Sequence, residues 1–215
     1  MLDIAKFLDQ TNLKQDASVG DITKLVEEQR KYNFRSLCIA PSFLQVARKN
    51  IQNIYLSTVI AFPNGYATTE SKIFEAKDAI KNGANDLDIV SNIGRIKMRD
   101  YEYLSKEVNC LREACKDHII KFIIETSFLS KEDIYFITNI LVEEGADFVK
   151  TSTGFTKYGA NLEDIKFIKE NFGEKIKIKA SGGISDYKTA IEFIGAGADV
   201  IGTSHGLEII NYKEN

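Results

Sequence analysis

Residues 131–150 read KEDIYFITNILVEEGADFVK, and the order of events inside this stretch decides the fold. An amphipathic segment over 131–144 opens behind Ser130, with Asp133 three residues on, the spacing of a capping box. It stops at Gly145, where glycine suits a left-handed helix end. An acid, Asp147, then leads into the short apolar run Asp147–Lys150. A helix therefore hands over directly to a strand through a Gly-Ala-acid phrase. The phrase returns at Gly83-Ala84 and Gly197-Ala198, marking a repeated helix-to-strand joint.

Working outward, the same alternation runs from end to end. Strand-like runs fall at Phe7–Leu13, Ser36–Ala40, Tyr55–Phe62, Asp86–Val90, Ile119–Glu125, Asp147–Lys150, Ile176–Ala180 and Asp199–Gly202. Amphipathic segments lie between them near 21–32, 42–50, 69–82, 98–117, 131–144, 162–172 and 186–195. Ser18 with Asp21, Asn161 with Asp164, and Ser185 read as further N-caps; Gly83, Gly173 and Gly195 read as further C-caps. Eight strands joined by helical crossovers predict a (β/α)8 TIM barrel. The alternative, a doubly wound open sheet, lacks a GxGxxG or P-loop motif to support it. No linker-like stretch divides the chain, so one domain over residues 1–215 is expected. Barrels commonly need about 250 residues, so short loops are expected too.

Composition narrows the function. The 28 Lys+Arg against 31 Asp+Glu give a net charge of −3, which argues against a broad nucleic-acid-binding surface. It leaves room for a small anion held at one turn. The three cysteines, Cys38, Cys110 and Cys115, show no CxxC spacing, and His118 and His205 are the only histidines. A disulfide framework, a structural zinc and a histidine-rich catalytic metal site are therefore not expected. No apolar run approaches the roughly 20 residues of a membrane span. Met1–Gln10 carries two acids and one lysine, unlike a signal peptide. A cytoplasmic, water-soluble protein is the expectation.

In a barrel of this kind chemistry sits at the C-terminal strand ends. Strand six closes on Lys150, followed by Thr151-Ser152-Thr153-Gly154-Phe155, and strand seven carries Lys179 before Ser181-Gly182-Gly183. Strand four offers Asp86 and Asp88 with one parity. Any one of these alone reads best as a solvated strand end; two lysines on adjacent strands facing a carboxylate read as chemistry. At about 6 Å and an effective dielectric near 20, two ammonium groups repel by roughly 2.8 kcal/mol. That is about a hundredfold in a proton equilibrium. With partial desolvation added, one amine becomes free to attack a carbonyl and form a Schiff base. The turns Ser181–Ile184 and Gly202–Gly206 follow strands seven and eight, the usual phosphate position in barrels, although ordinary βα turns also use glycine there.

These residues resemble the deoxyribose-phosphate aldolase family, class I aldolases that form Schiff bases. The likeness is closest at Phe148–Phe155 (FVKTSTGF) and Lys179–Ile184 (KASGGI). Supporting segments in the same order are Asp9–Leu13, Cys38–Pro41, Phe62–Gly65 and Asn85–Val90. The resemblance implies reversible cleavage of 2-deoxy-D-ribose 5-phosphate to D-glyceraldehyde 3-phosphate and acetaldehyde, without metal or organic cofactor. Its partners would be phosphorylated sugar and aldehyde substrates, with no nucleic acid or membrane, and a homodimer is possible. By motif, Lys150 resembles the nucleophile, Lys179 the cation that tunes it, and Asp88 the proton-transfer carboxylate. Gly182, Gly183, Gly202 and Ser204 resemble the phosphate-binding turns, and Cys38 a thiol lining the pocket.

Departures from the family pattern are Gln10, where many relatives have histidine, and His205, where a small residue is commoner. His205 either adds charge at the phosphate or caps the next helix, and Tyr212 is a candidate contact from the short tail. Strand parity further predicts a buried charged network of Asp86, Lys121, Glu125 and Lys177, because unpaired charges there would cost too much. Two competing functions remain: another class I aldolase acting on a different phosphorylated sugar, and a non-catalytic phosphosugar-binding barrel.

Overall fold

A computed structural model describes residues 2–51 and 53–212. Eight parallel strands close into a barrel in sequence order, β1 (Leu8–Asn12), β2 (Ser36–Ile39), β3 (Leu56–Ile60), β4 (Asp86–Val90), β5 (Ile119–Ile123), β6 (Phe148–Lys150), β7 (Lys177–Ser181) and β8 (Val200–Thr203). Asp9 pairs with Gly202 and Ser36 on either side, so β1 completes the ring. The helices are α1 (Val19–Tyr32), α2 (Leu44–Asn50), α3 (Thr69–Lys81), α4 (Ile93–Lys97), α5 (Tyr101–Ala114), α6 (Lys131–Glu143), α7 (Leu162–Phe172), α8 (Tyr187–Gly195) and α9 (Gly206–Ile210). The expected (β/α)8 barrel is the fold.

The repeated joint has a physical explanation. Gly83, Gly145 and Gly197 have φ of 99°, 75° and 114°, a conformation glycine enters without a Cβ clash. Each glycine and the alanine after it donate back to the helix they leave, as in Gly83 N to Ile80 O at 2.9 Å and Ala84 N to Ala79 O at 3.0 Å. This is the Schellman pattern, which satisfies carbonyls that a helix end leaves open. The next side chain then fixes the register. Asn85, Asp147 and Asp199 accept the N–H groups of Leu56, Ile120 and Ile178, at 2.9, 2.8 and 2.8 Å. Their own N–H groups donate to the carbonyls of those same residues. At the first joint the pinning residue is thus Asn85, which leaves Asp86 free to face the barrel interior.

Helix ends refine four expectations. Ser18 and Ser130 make full capping boxes with Asp21 and Asp133. Asn161 accepts from Glu163 N instead of pairing with Asp164, and Asp186, not Ser185, caps α8 through Thr189 N. Gly195 lies inside α8, the turn being made two residues later at Gly197. The segment 98–117 shortens to α5, because Asp100 accepts from Tyr103 N and starts the helix there, behind the left-handed Arg99, and α4 lies outside the expected segments.

Alternation sorts the strand residues into two sets. Leu37, Ile39, Leu56, Leu87, Ile89, Ile120, Phe122, Val149 and Ile178 pack with the helices in one continuous apolar core. Their neighbours point inward, where barrels usually stack branched apolar side chains. Here the lumen instead holds Asp9, Ser36, Ser57, Asp86, Asp88, Lys121, Lys150 and Lys179, all buried and bonded to one another.

Candidate active site

Asp88 is the hub of the lumen. Its Oδ2 accepts from Lys150 Nζ at 2.8 Å and from Lys179 Nζ at 2.6 Å, and Lys121 Nζ lies 3.2 Å from Oδ1. Adjacent strands bring this about, since Lys150 pairs with Lys179 in the β6–β7 ladder and with Ile123 in β5. The two ammonium groups share one oxygen, so they stand closer than the sequence argument supposed. Burial alone would push the Asp88 carboxyl up, but Lys150, Lys179 and Lys121 outweigh it and hold it well below the usual carboxylate range.

Lys179 is bound on both sides. It donates to Asp9 Oδ2 as well as to Asp88, each at 2.6 Å, and is fully buried. Burial disfavours its charge, yet Asp88 and Asp9 more than restore it, so its ammonium is held above the ordinary lysine range. Asp9 is held low in turn: burial opposes its charge, and Lys179 and Arg35 overcome it. Below this tier, Arg35 bridges Asp9 and Asp86 at 2.6 Å each, Lys121 reaches Asp86 at 2.5 Å, and the Tyr55 hydroxyl donates to Asp86 at 2.6 Å. Three carboxylates, Asp9, Asp86 and Asp88, are thus matched by Arg35, Lys121 and Lys179. Lys150 is the amine left over.

Above the network opens a cavity of about 820 Å³. Lys150 forms part of its lining, together with Gly182, Gly183, Gly202 and Ser204. Asp88 and Lys179 lie beneath it, sealed from solvent. Gly182 and Gly183 have φ of 88° and 78° in the β7–α8 turn. A Cβ on Gly183 would meet nothing within 4 Å, whereas one on Gly182 would lie 2.9 Å from Gly159 Cα, so Gly182 is bare against the β6–α7 loop and Gly183 toward open space. Gly202 carries a further duty: a Cβ there would lie 3.1 Å from Lys179 Cε and 3.0 Å from Ser181 Cβ, so its absence makes room for the buried lysine.

The remaining expectations divide. Asp86 and Lys121 belong to the buried network as predicted, but Lys177 and Glu125 do not. Lys177 keeps the inward parity, with Nζ 5.6 Å from the centre of the Phe148 ring, yet sits at the solvent end of β7 and is exposed. Glu125 is buried beyond the end of β5, where left-handed backbone breaks the alternation, and bonds the β6–α7 loop instead. Gln10 has the parity opposite to Asp9 yet lines the cavity, accepting from Gly206 N at 2.9 Å and donating to Glu28 at 3.1 Å. His205 occupies the N-cap position of α9 without a side-chain cap bond, and its Nδ1 lies 3.2 Å from Ser204 Oγ. Tyr212 stacks on Tyr187 at 4.8 Å and is not part of the cavity lining. Cys38 is buried in the lumen, where loss of solvent raises its thiol above the ordinary range, partly offset by Lys179. Sequence reading did not single out Arg35, Tyr55 or the network role of Asp9. It also passed over Lys14 and Lys24, which line the cavity from the β1–α1 side.

Known proteins carry the same arrangement of chain. The model of the DeoC/LacD family aldolases matches residues 4–210. The chain is 45% identical over 202 residues to a deoxyribose-phosphate aldolase from Metamycoplasma hominis, spanning 93% of each protein. Among solved structures it is similar to QR15, an aldolase, with TM-score 0.94 and 38% identity over 98% of this chain and 95% of that one. It is also similar to the tetrameric deoxyribose phosphate aldolase from Aeropyrum pernix, with TM-score 0.85 and 30% identity over 96% and 89%. A barrel with an unmatched amine at its mouth, and relatives of this identity and coverage, place the chain in one family: it belongs to the DeoC/LacD aldolases, which are lyases.

Proposed function

We propose that the enzyme reversibly cleaves 2-deoxy-D-ribose 5-phosphate to D-glyceraldehyde 3-phosphate and acetaldehyde through a Schiff base on Lys150. The observation that carries this reading is the inequality of the two lysines. Lys179 is sealed and clamped between two carboxylates, whereas Lys150 lines the cavity and meets one. Only the second is open to the cavity, where a substrate carbonyl can reach it.

Lys150 Nζ attacks C1 of the open-chain sugar, and loss of water leaves an iminium. The iminium keeps a positive charge on Lys150 beside Asp88, so Asp88 stays ionised and able to accept a proton. Asp88, through a water, then takes the C3 hydroxyl proton. The C2–C3 bond breaks, its electron pair moves into the iminium, and the C3 aldehyde departs as glyceraldehyde 3-phosphate. Protonation of the enamine at C2 and hydrolysis release acetaldehyde and the free amine. Lys179 keeps a positive charge beside this path, and the glycine turns with Ser204 hold the phosphate and so orient the chain. A homo-oligomer fits the tetrameric Aeropyrum relative. A cytoplasmic location fits a phosphorylated substrate, whose charge keeps it from crossing membranes unaided.

Borohydride reduction in the presence of acetaldehyde tests the reading. An ethyl adduct on Lys150 is expected, absent in K150M. An unchanged mass, or a label on another residue, would sink the mechanism and favour a binding protein. Cleavage rates on deoxyribose 5-phosphate, ribose 5-phosphate and fructose phosphates then separate this substrate from those of other class I aldolases.

A further inference from the structure

Glu125 stands apart from the other buried acids. It is 2% exposed, yet among the described residues no cation lies within ion-pair distance of it. Its backbone is left-handed, with φ 51° and ψ 67°, where a side chain crowds the following carbonyl. An uncompensated carboxylate and an unfavourable backbone thus coincide at one position beside the mouth.

What the residue secures is the β6–α7 loop. Its Oε2 accepts from Thr153 N at 3.0 Å and Thr153 Oγ1 at 2.6 Å, and its Oε1 from Thr156 Oγ1 at 3.2 Å and Ser127 Oγ at 3.5 Å. Between those anchors, Thr153, Gly154 and Phe155 form a wall of the cavity next to Lys150. The far side of the loop is docked on the β7–α8 turn, where Ala160 N donates to Gly182 O at 3.0 Å. The approach is close enough that a Cβ on Gly159 would lie 2.1 Å from Gly182 O. Lys150 is placed independently, by its ladder neighbours Ile123 and Lys179 and by Ile124 N donating to its carbonyl at 3.0 Å.

We infer that Glu125 is a positioning residue: it holds Thr153–Phe155 as the wall against which the substrate is seated, without touching substrate itself. The inference rests on the reading of Lys150 as the Schiff-base lysine of a deoxyribose 5-phosphate aldolase. The requirement is for acceptors, not for charge. A glutamine oxygen can take both Thr153 donors, while its amide faces two hydroxyls that can rotate to accept. Alanine offers the loop nothing.

The test measures KM and kcat on deoxyribose 5-phosphate for E125A and E125Q, alongside borohydride trapping of acetaldehyde. For E125A we expect KM to rise about tenfold or more with kcat down less than about threefold, and Lys150 still fully trapped. E125Q stays within about threefold of the parent in both. Where E125A does not fold, E125D replaces it, being one methylene short yet tolerant of positive φ, with the same KM rise expected. A KM unchanged in the alanine or aspartate variant overturns the inference, whatever its melting temperature. So does a kcat loss larger than the KM gain, or an E125Q as damaged as E125A. Failure of trapping in the parent enzyme would instead strike the reading beneath it.

Discussion

The two faces of the barrel wall are built from the same strands and share almost nothing else. On the helix side, Leu87, Ile89, Ile120, Phe122 and Val149 meet helices across a continuous apolar core, where burial is favourable at every position. On the lumen side, Asp86, Asp88, Lys121, Lys150 and Lys179 occupy the alternating positions, where each charge must find a partner or cost several kcal/mol. The outer face thus carries stability and leaves the inner face free to carry chemistry. A buried ion pair is poor evidence of stability, but matched pairs explain how seven ionisable side chains are tolerated around one axis. They also explain why one amine differs from the others: its one carboxylate, Asp88, is shared with Lys121 and Lys179.

The contrast breaks most visibly if Lys179 is changed. K179M takes from Asp9 one of its two ion-pair partners, leaving Arg35 and the Ser36 hydroxyl, and takes one cation from Asp88. Stability should fall by about 3–5 kcal/mol, the usual result of removing one partner of a buried pair. Turnover should fall by about two to four powers of ten, since the cation beside the proton path is lost. Denaturant unfolding and single-substrate kinetics measure both. A variant with near-native turnover would show that Lys179 only fills space.

A cut on the outer face should separate the two quantities. Ile137 of α6 is fully buried in the apolar core that packs the helices against the barrel. I137A should cost about 2–5 kcal/mol through lost transfer energy and the cavity left behind. Its KM and kcat at a temperature where it is folded should match the parent. Loss of turnover without loss of stability would contradict the division of labour between the faces.

How much of this was legible follows from the same alternation. The barrel was readable because period-two strands and the Gly-Ala-acid joint are local signals, and the joint even fixes strand register. Asp88, Lys150 and Lys179 were readable because parity and strand-end position place them together. Arg35 was not, because it precedes β2 by one residue and has the parity opposite to Ser36 and Cys38. It enters the network only because a long side chain reaches round the barrel floor to Asp9 and Asp86. Glu125 failed for the converse reason: parity was extended to a residue two places past the last ladder position, where left-handed backbone redirects the side chain. Lys177 kept its parity but not its burial, since parity says nothing about depth along the axis.

The smallest effect expected within the working range is on pH, and it sharpens the comparison at its edges. Asp9 and Asp88 are held below their unfolded values, near 3.9. Their contribution to stability is therefore complete above about pH 5 and is lost as pH falls from there toward the folded values. Lys179 is held above its unfolded value, near 10.4. Its contribution is complete below that value and is lost as pH rises through the folded one. These are the two ends of the same ion pairs, so the losses are not added. Between them, from about pH 5 to pH 9, these groups should leave the melting temperature flat. In D9N the acid limb should be shallower than in the parent, because one carboxylate no longer has to be protonated. In I137A the whole curve should shift down while keeping its shape, because apolar packing binds no protons. An I137A curve whose acid limb changed as much as that of D9N would mean that the two faces of the wall are coupled, and that the strands do not insulate the chemistry from the core.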